Sequence, residues 1–218
     1  MPIHLLPQIR FTAGRPETWQ ARKWRLVHLA QGNLDGACGP YSVMMALLLL
    51  GKLSFDEVTS CGFLFDRTQS KGKLWHMLEK GPGLLRNGTD RHDLHQILQH
   101  SFGQELRSFP IVDTPEELIH LTVMHLREGR PVLLGLRYAG QGGHWLVIVG
   151  YEENELGHVS KLLALDSSST APSLCAWNAF VDVEVPAKHK RYRYQWVNTS
   201  CSAPIAVTLE DALAIGAA

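Results

Sequence analysis

An unbroken apolar run, Val43 to Leu50, stands behind the segment Ala37-Cys38-Gly39-Pro40-Tyr41-Ser42 and stops at Gly51. Pro40 suits the first turn of a helix, where its missing N–H has no intrahelical partner to lose. The pattern predicts a helix from Gly39 or Pro40 to about Leu50. A helix that is apolar on nearly every face must be buried all round, so the rest of the chain has to wrap it. The run is too short to span a bilayer. The amino terminus has two early prolines and no continuous apolar core, so it does not read as a secretory signal. A soluble, cytoplasmic protein is expected, or one exported without such a signal.

The texture around that helix changes along the chain. The first thirty residues read as irregular or weakly strand-like, with Trp19 and Trp24 packed back onto the domain. A second helix is predicted from near Ser54, with Phe55, Val58 and Cys61 on its apolar side. Residues 89–100 form an amphipathic helix with Leu94, Ile97 and Leu98 on its inner stripe. Thr114-Pro115-Glu116-Glu117 is a helix start, with Thr114 as cap and Glu117 completing a capping box; this helix ends at Gly129. Residues 131–138, 144–151 and 161–166 then read as strands joined by polar or Gly-rich turns, which suits antiparallel pairing. Residues 179–185 and 192–197 add further strand, and residues 208–215 are a last short helix or a tail that docks on a partner. The prediction is one α+β domain of 218 residues: a mainly helical half to about 129, a sheet half from about 130 to 200, and a tail over 201–218.

Cys38 stands where the loop becomes the buried helix. The unpaired N–H groups and positive dipole end at a helix start stabilise an anion, which lowers a thiol's pKa. Gly36 and Gly39 let backbone pass close to a substrate. Gln31 upstream can swing its amide beside the Cys38 N–H, and two such donors form an oxyanion hole. A thiolate needs a base: Gln141-Gly142-Gly143-His144-Trp145 presents His144 at the start of an apolar strand, with Trp145 able to shield the pair from water. The base needs an orienter on its other ring nitrogen. Asp166 ends the next strand, and antiparallel pairing brings the start of one strand beside the end of the next. Asp182 and Asn178 are weaker substitutes.

These residues resemble a known family. Gln31, Cys38-Gly39-Pro40, Gly143-His144-Trp145 with its following apolar strand to Gly150-Tyr151, and Leu165-Asp166-Ser167 are similar to the motifs of papain-like cysteine peptidases, nearest to the compact bacterial branch that includes bacteriocin leader peptidases. The resemblance covers roughly residues 25 to 170. It implies a papain-like fold, a helical half with a central buried helix packed against an antiparallel sheet, and a cleft between them. It also implies a Cys38–His144–Asp166 triad with Gln31 in the oxyanion hole, a peptide or protein substrate, and no cofactor or metal. Six residues lie between Gln31 and Cys38, one more than is usual in the family, so the loop bulges or Asn33 serves in place of Gln31. Asp35 is less suitable because it cannot donate when ionised.

Other readings of the same residues stay open: a deamidase, transglutaminase or acyltransferase effector working through the same thioester, or a non-catalytic binding module of the same fold. An immunity or cognate partner protein is a possible companion. The formal net charge of zero gives no electrostatic footprint for nucleic acid. His92, His95 and His100 sit on the polar side of their helix, where a solvated face is preferred over a metal site. Cys61 reads as core, and residues 188–193 as a basic hairpin between strands. The four cysteines are scattered and form no Cys-x-x-Cys pair, so reduced thiols are expected.

Overall fold

In the computed structural model, described for residues 1–32, 36–60, 65–80, 88–140 and 142–218, the apolar run is helix α1, Cys38–Leu49. Every residue of it except Tyr41 is buried. Gly51, at φ +66°, ends it in a left-handed conformation that a side chain would strain.

Among the described residues four strands precede α1. β1 (Ile3–Leu5) stands apart from a small sheet of β2 (Ile9–Thr12), β3 (Arg15–Gln20) and β4 (Lys23–Leu26), paired antiparallel in that order. Trp19 and Trp24 face each other across β3 and β4, edge to face at 5.5 Å, with Arg10 over Trp24. Trp19 is 52% exposed, so this pair lies on the outside of the small sheet instead of packing back onto the domain.

Among the described residues four helices follow α1: α2 (Phe55–Thr59), α3 (Ser70–Lys80), α4 (Arg91–Phe102) and α5 (Pro115–Arg127). α2 opens with a Ser54–Glu57 capping box. α4 opens with its own, Asp90–Asp93, and buries the expected Leu94, Ile97 and Leu98. At α5, Thr114 accepts from Glu117 N–H, but Asp113 takes the Thr114 N–H that Glu117 would need for a complete box. α3 lies in the stretch between the second expected helix and residue 89, to which the sequence assigned no element. His92 contacts Gln96 and His95 contacts Ser108. Among the described residues no group of three or more His, Cys, Asp or Glu is arranged to hold a metal, and no helix is long and apolar enough to cross a membrane.

The remaining strands are β5 (Leu106–Ile111), β6 (Val132–Tyr138), β7 (Gly142–Glu153), β8 (Val159–Leu165), β9 (Ala179–Asp182), β10 (Tyr194–Asn198) and β11 (Ile205–Ala217). All of their pairings are antiparallel, and β6 to β11 close into a ring: β6–β7–β8–β9–β10–β11 and back to β6. β1 adds to β7 and β5 to β11 outside the ring. The expected open sheet packed against a central helix is therefore a closed six-stranded barrel, and α1 packs on its β6–β7 wall. The closing element is β11, where a helix or docking tail was expected. Leu, Glu and Ala favour helix locally, but pairing to β6, β10 and β5 overrides that preference. β7 is buried on both faces from Trp145 to Tyr151, as befits a strand with barrel interior on one side and helix on the other.

Candidate active site

Cys38 is the first residue of α1, and no described side chain caps that helix start. Its free N–H groups and dipole favour an anion at the sulfur. α1 meets the start of β7 here: Ser42 Oγ donates to the Trp145 carbonyl at 3.3 Å, and the Trp145 and Gly39 N–H groups point at the sulfur. Gly39 leaves little room for a side chain, since a Cβ there would lie 1.9 Å from Thr89 Oγ1, which would have to move aside. Burial opposes ionisation of Cys38, yet its hydrogen bond to His144, the imidazolium charge and these two N–H groups hold the thiol below its ordinary pKa.

His144 is the third residue of β7, opposite Leu136 of β6. The β7–β8 register sets Val147 against Leu165, which leaves His144 and Asp166 at the same end of the barrel wall. His144 Nε2 lies 2.8 Å from Asp166 Oδ1. That contact leaves Nδ1 for the sulfur. Burial works against the imidazolium, but hydrogen bonds and charge from Asp166 and Cys38 raise its pKa to about 9. The two shifts work in one direction: each favours the thiolate–imidazolium pair over the neutral thiol and imidazole.

Asp166 is fully buried. Its Oδ1 also accepts from Ser168 N at 2.8 Å and Ser168 Oγ at 2.7 Å, and its Oδ2 from Asn198 Nδ2 at 3.1 Å. Desolvation would raise the carboxyl's pKa, but the His144 contact and these donors hold it below the usual range. The Asp166 backbone is fixed as well. Its N–H donates to Asn178 Oδ1 at 2.8 Å, and its carbonyl accepts from Asn178 Nδ2 and from His28 Nε2, both at 2.9 Å. Asn178, considered as an orienter, instead anchors the orienter's peptide. Asp182, the other substitute, lies on β9 opposite Gln195 and Lys161, where it caps the Glu184 and Val185 N–H groups.

No protein-family model and no curated protein matches the chain. Among solved structures it is similar to the crystal structure of UfSP from C. elegans, at 13% identity and a TM-score of 0.42. That match covers 100% of this chain and 35% of the other, so the chain spans about a third of that protein's length.

Gln31 lines the same cleft as Cys38 and His144, a space of about 730 Å³. Its N–H donates to the Ser167 carbonyl at 2.8 Å, and its side-chain oxygen accepts from Ser167 Oγ at 2.9 Å. With the oxygen engaged, the amide's NH₂ is the group turned elsewhere. Asn33 and Asp35, the other residues weighed for this position, lie outside the described residues, as do Cys61 and Gln141. Farther along the cleft, Arg91 pairs with Asp211 at 3.3 Å and Arg137 with Glu210. A register shift in β11 between Leu209 and Asp211 turns both consecutive acids toward the cleft. Burial first, then neighbouring carboxylates, push the Asp211 carboxyl above its usual pKa, against the pull of Arg91.

Besides Ser168 and His28, two residues of β10 at the site escaped the sequence reading. Trp196 stacks on the His144 ring at 5.0 Å, a shielding role expected of Trp145. Trp145 is buried too, but its indole N–H donates to the Thr89 carbonyl. Asn198 follows Trp196 by two and shares its side of β10. The available signal was a strand whose last alternating position, after Tyr194 and Trp196, is a buried amide.

Proposed function

We propose that this chain is a cysteine peptidase that cleaves amide bonds through an acyl-enzyme thioester. The observation that carries the reading is the buried chain of contacts from the Cys38 sulfur through His144 to Asp166 Oδ1, with the His144–Asp166 link at 2.8 Å. The papain-like resemblance implies the same residue types in the same order, and a thiol at a helix start facing a base on a strand is consistent with it.

In this reading the Cys38 thiolate adds to the carbonyl carbon of the scissile amide. The Cys38 N–H and the Gln31 NH₂ donate to the oxyanion, which gathers full charge only in the tetrahedral intermediate. His144 gives its Nδ1 proton to the leaving nitrogen, the C–N bond breaks, and an amine departs from a thioester. Water then attacks that thioester while His144 takes a proton from it. The acid leaves, and thiolate and imidazolium are restored. Asp166 keeps its hold on Nε2–H throughout, so the imidazole does not rotate away between the two halves.

The test is covalent trapping. A peptidyl chloromethyl ketone at neutral pH, followed by proteolytic mapping and mass spectrometry, is expected to alkylate Cys38, and to leave it unmodified in a His144→Ala variant. Modification of Cys175 or Cys201 with Cys38 untouched would refute the assignment.

A further inference from the structure

The geometry points to Asn198 as a positioning residue of the candidate triad: its side-chain amide fixes the second oxygen of the Asp166 carboxylate and so holds the face that receives His144. This rests on the cysteine-peptidase reading. Asn198 ends β10, more than thirty residues beyond Asp166, and the two meet because β9 pairs with both β8 and β10, setting Ala179 against Ala164 on one side and Asn198 on the other.

The orientation of the amide is decided by its neighbours. Asn198 Oδ1 accepts the backbone N–H of Ser200 at 3.0 Å and of Cys201 at 2.9 Å. Both are donors, so the oxygen must face them, and the NH₂ must face Asp166 Oδ2 at 3.1 Å. The other donor to Oδ2, Ser169 Oγ, stands at 3.4 Å, a weaker contact. Oδ1 is held by Ser168 and His144, and Asn198 makes the shorter of the two contacts to Oδ2, so the carboxylate is fixed at both oxygens against rotation about its last bond. The titratable groups around this carboxylate are His144 from β7, His28 from the segment after β4, and Cys38 beyond His144; Cys201 lies next to the amide. His28 must carry its proton on Nε2, because the Asp166 carbonyl it touches can only accept. Trp196 closes the opposite side of the His144 ring, so one face of β10 braces the base and its orienter together.

Asn198→Asp separates this role from turn-making. An introduced carboxyl can still accept from the Ser200 and Cys201 N–H groups, so a residue needed only for the turn tolerates the change. At Oδ2, however, the donor becomes a carboxyl, and two buried carboxyls in contact share one proton. While that proton is present, an O–H replaces the amide N–H. When it leaves, repulsion turns Asp166 off His144.

The experiment follows the rate of Cys38 alkylation by iodoacetamide from pH 5.5 to 9.5, with peptide mapping to separate the other thiols. Thermal unfolding checks that each variant is folded. In the unchanged chain, Cys38 should react faster than Cys175 and Cys201 at pH 6 and hold a plateau. Asn198→Asp should match it near pH 6, then fall about tenfold as the shared proton is lost between about pH 6 and 8. Asn198→Ala should be slower throughout, with no such pH-dependent fall. An Asn198→Asp profile that stays on the plateau, or rises because the extra charge favours imidazolium, would overturn the positioning role and leave the nucleophile intact. Failure of Cys38 to outpace the other thiols in the unchanged chain would overturn the nucleophile reading and this inference with it.

Discussion

Replacing Asp166 by Asn tests how much of the imidazolium's persistence comes from one buried charge. The rise of His144 from 6.5 to about 9 is about 2.5 pH units, roughly 3 kcal/mol in favour of the charged ring at about 1.4 kcal/mol per unit. Asp166 and Cys38 each supply a hydrogen bond and a charge against the cost of burial. An amide in place of the carboxylate keeps a possible acceptor for Nε2–H and removes the charge. It also has one acceptor oxygen where Ser168 N–H, Ser168 Oγ–H, Asn198 NH₂ and His144 all donate. Two consequences follow. The His144 midpoint should fall to about 7 to 8, roughly half of the rise being lost. The variant should also lose about 1–3 kcal/mol of stability independent of pH, because buried donors are left unmatched.

The pH dependence has a definite sign. A histidine whose folded pKa lies above its unfolded value contributes stability that is complete below pH 6.5 and is lost as pH rises through about 9. Cys38 runs the other way: its lowered pKa contributes stability above the ordinary thiol range and loses it as pH falls through the folded value. Removing Asp166's charge narrows the histidine window from its upper end. Urea unfolding should therefore show the variant's deficit to be larger at pH 7 than at pH 10, by about 1–2 kcal/mol. Carbon-13 NMR of the imidazole Cε1 reads the midpoint directly. A His144 midpoint in the Asp166→Asn chain within about 0.3 unit of the unchanged protein would refute the argument.

Gln31→Ala removes one of two oxyanion donors, so turnover of a peptidyl p-nitroanilide should fall by about 10²- to 10³-fold. The pH profile of Cys38 alkylation should not move, and a parallel shift in that profile would mean that Gln31 acts on the thiolate instead. Gly39→Ala improves local helix propensity by up to about 1 kcal/mol, yet its Cβ would press on Thr89 Oγ1 at 1.9 Å and on Leu94 at 3.0 Å. A net loss of about 1–3 kcal/mol in urea unfolding is expected, partly restored by adding Thr89→Ala, and a stabilised Gly39→Ala chain would contradict the packing.

Residues whose structure is set by near neighbours were legible in the sequence. α1 follows from an apolar run between Pro40 and Gly51, α4 from its 3.6-residue stripe, and β6 to β8 from apolar runs separated by turns. The pairing of His144 with Asp166 followed because antiparallel neighbours in sequence share an edge. What escaped depends on distant partners. β11 has a helical composition and becomes a strand through β6, β10 and β5. The pair Ala21 and Arg22, both at positive φ, makes a tight hairpin turn without the Asn or Gly that usually marks one, so β3 and β4 were faint. The reciprocal cap expected at Glu117 failed because Asp113 stood closer to the same N–H.

The same distance effect separates the half of the site that was legible from the half that was not. Cys38, His144 and Asp166 announce themselves by residue type and by their places at element ends, but a carboxylate at the edge of an open sheet would keep water on one side. Water screens the charge and leaves the side chain free to turn. Closure of the ring by β10 and β11 excludes that water and leaves Asp166 fully buried, which by itself would drive the carboxyl toward its neutral form. It remains charged because His144 faces it, β10 delivers Asn198 through its pairing with β9, and the turn after β8 delivers Ser168. Burial and its compensation therefore come from different pairings: the closed ring keeps water away and strengthens the His144 contact, while the β8–β9–β10 ladder supplies the amide that helps keep its partner ionised.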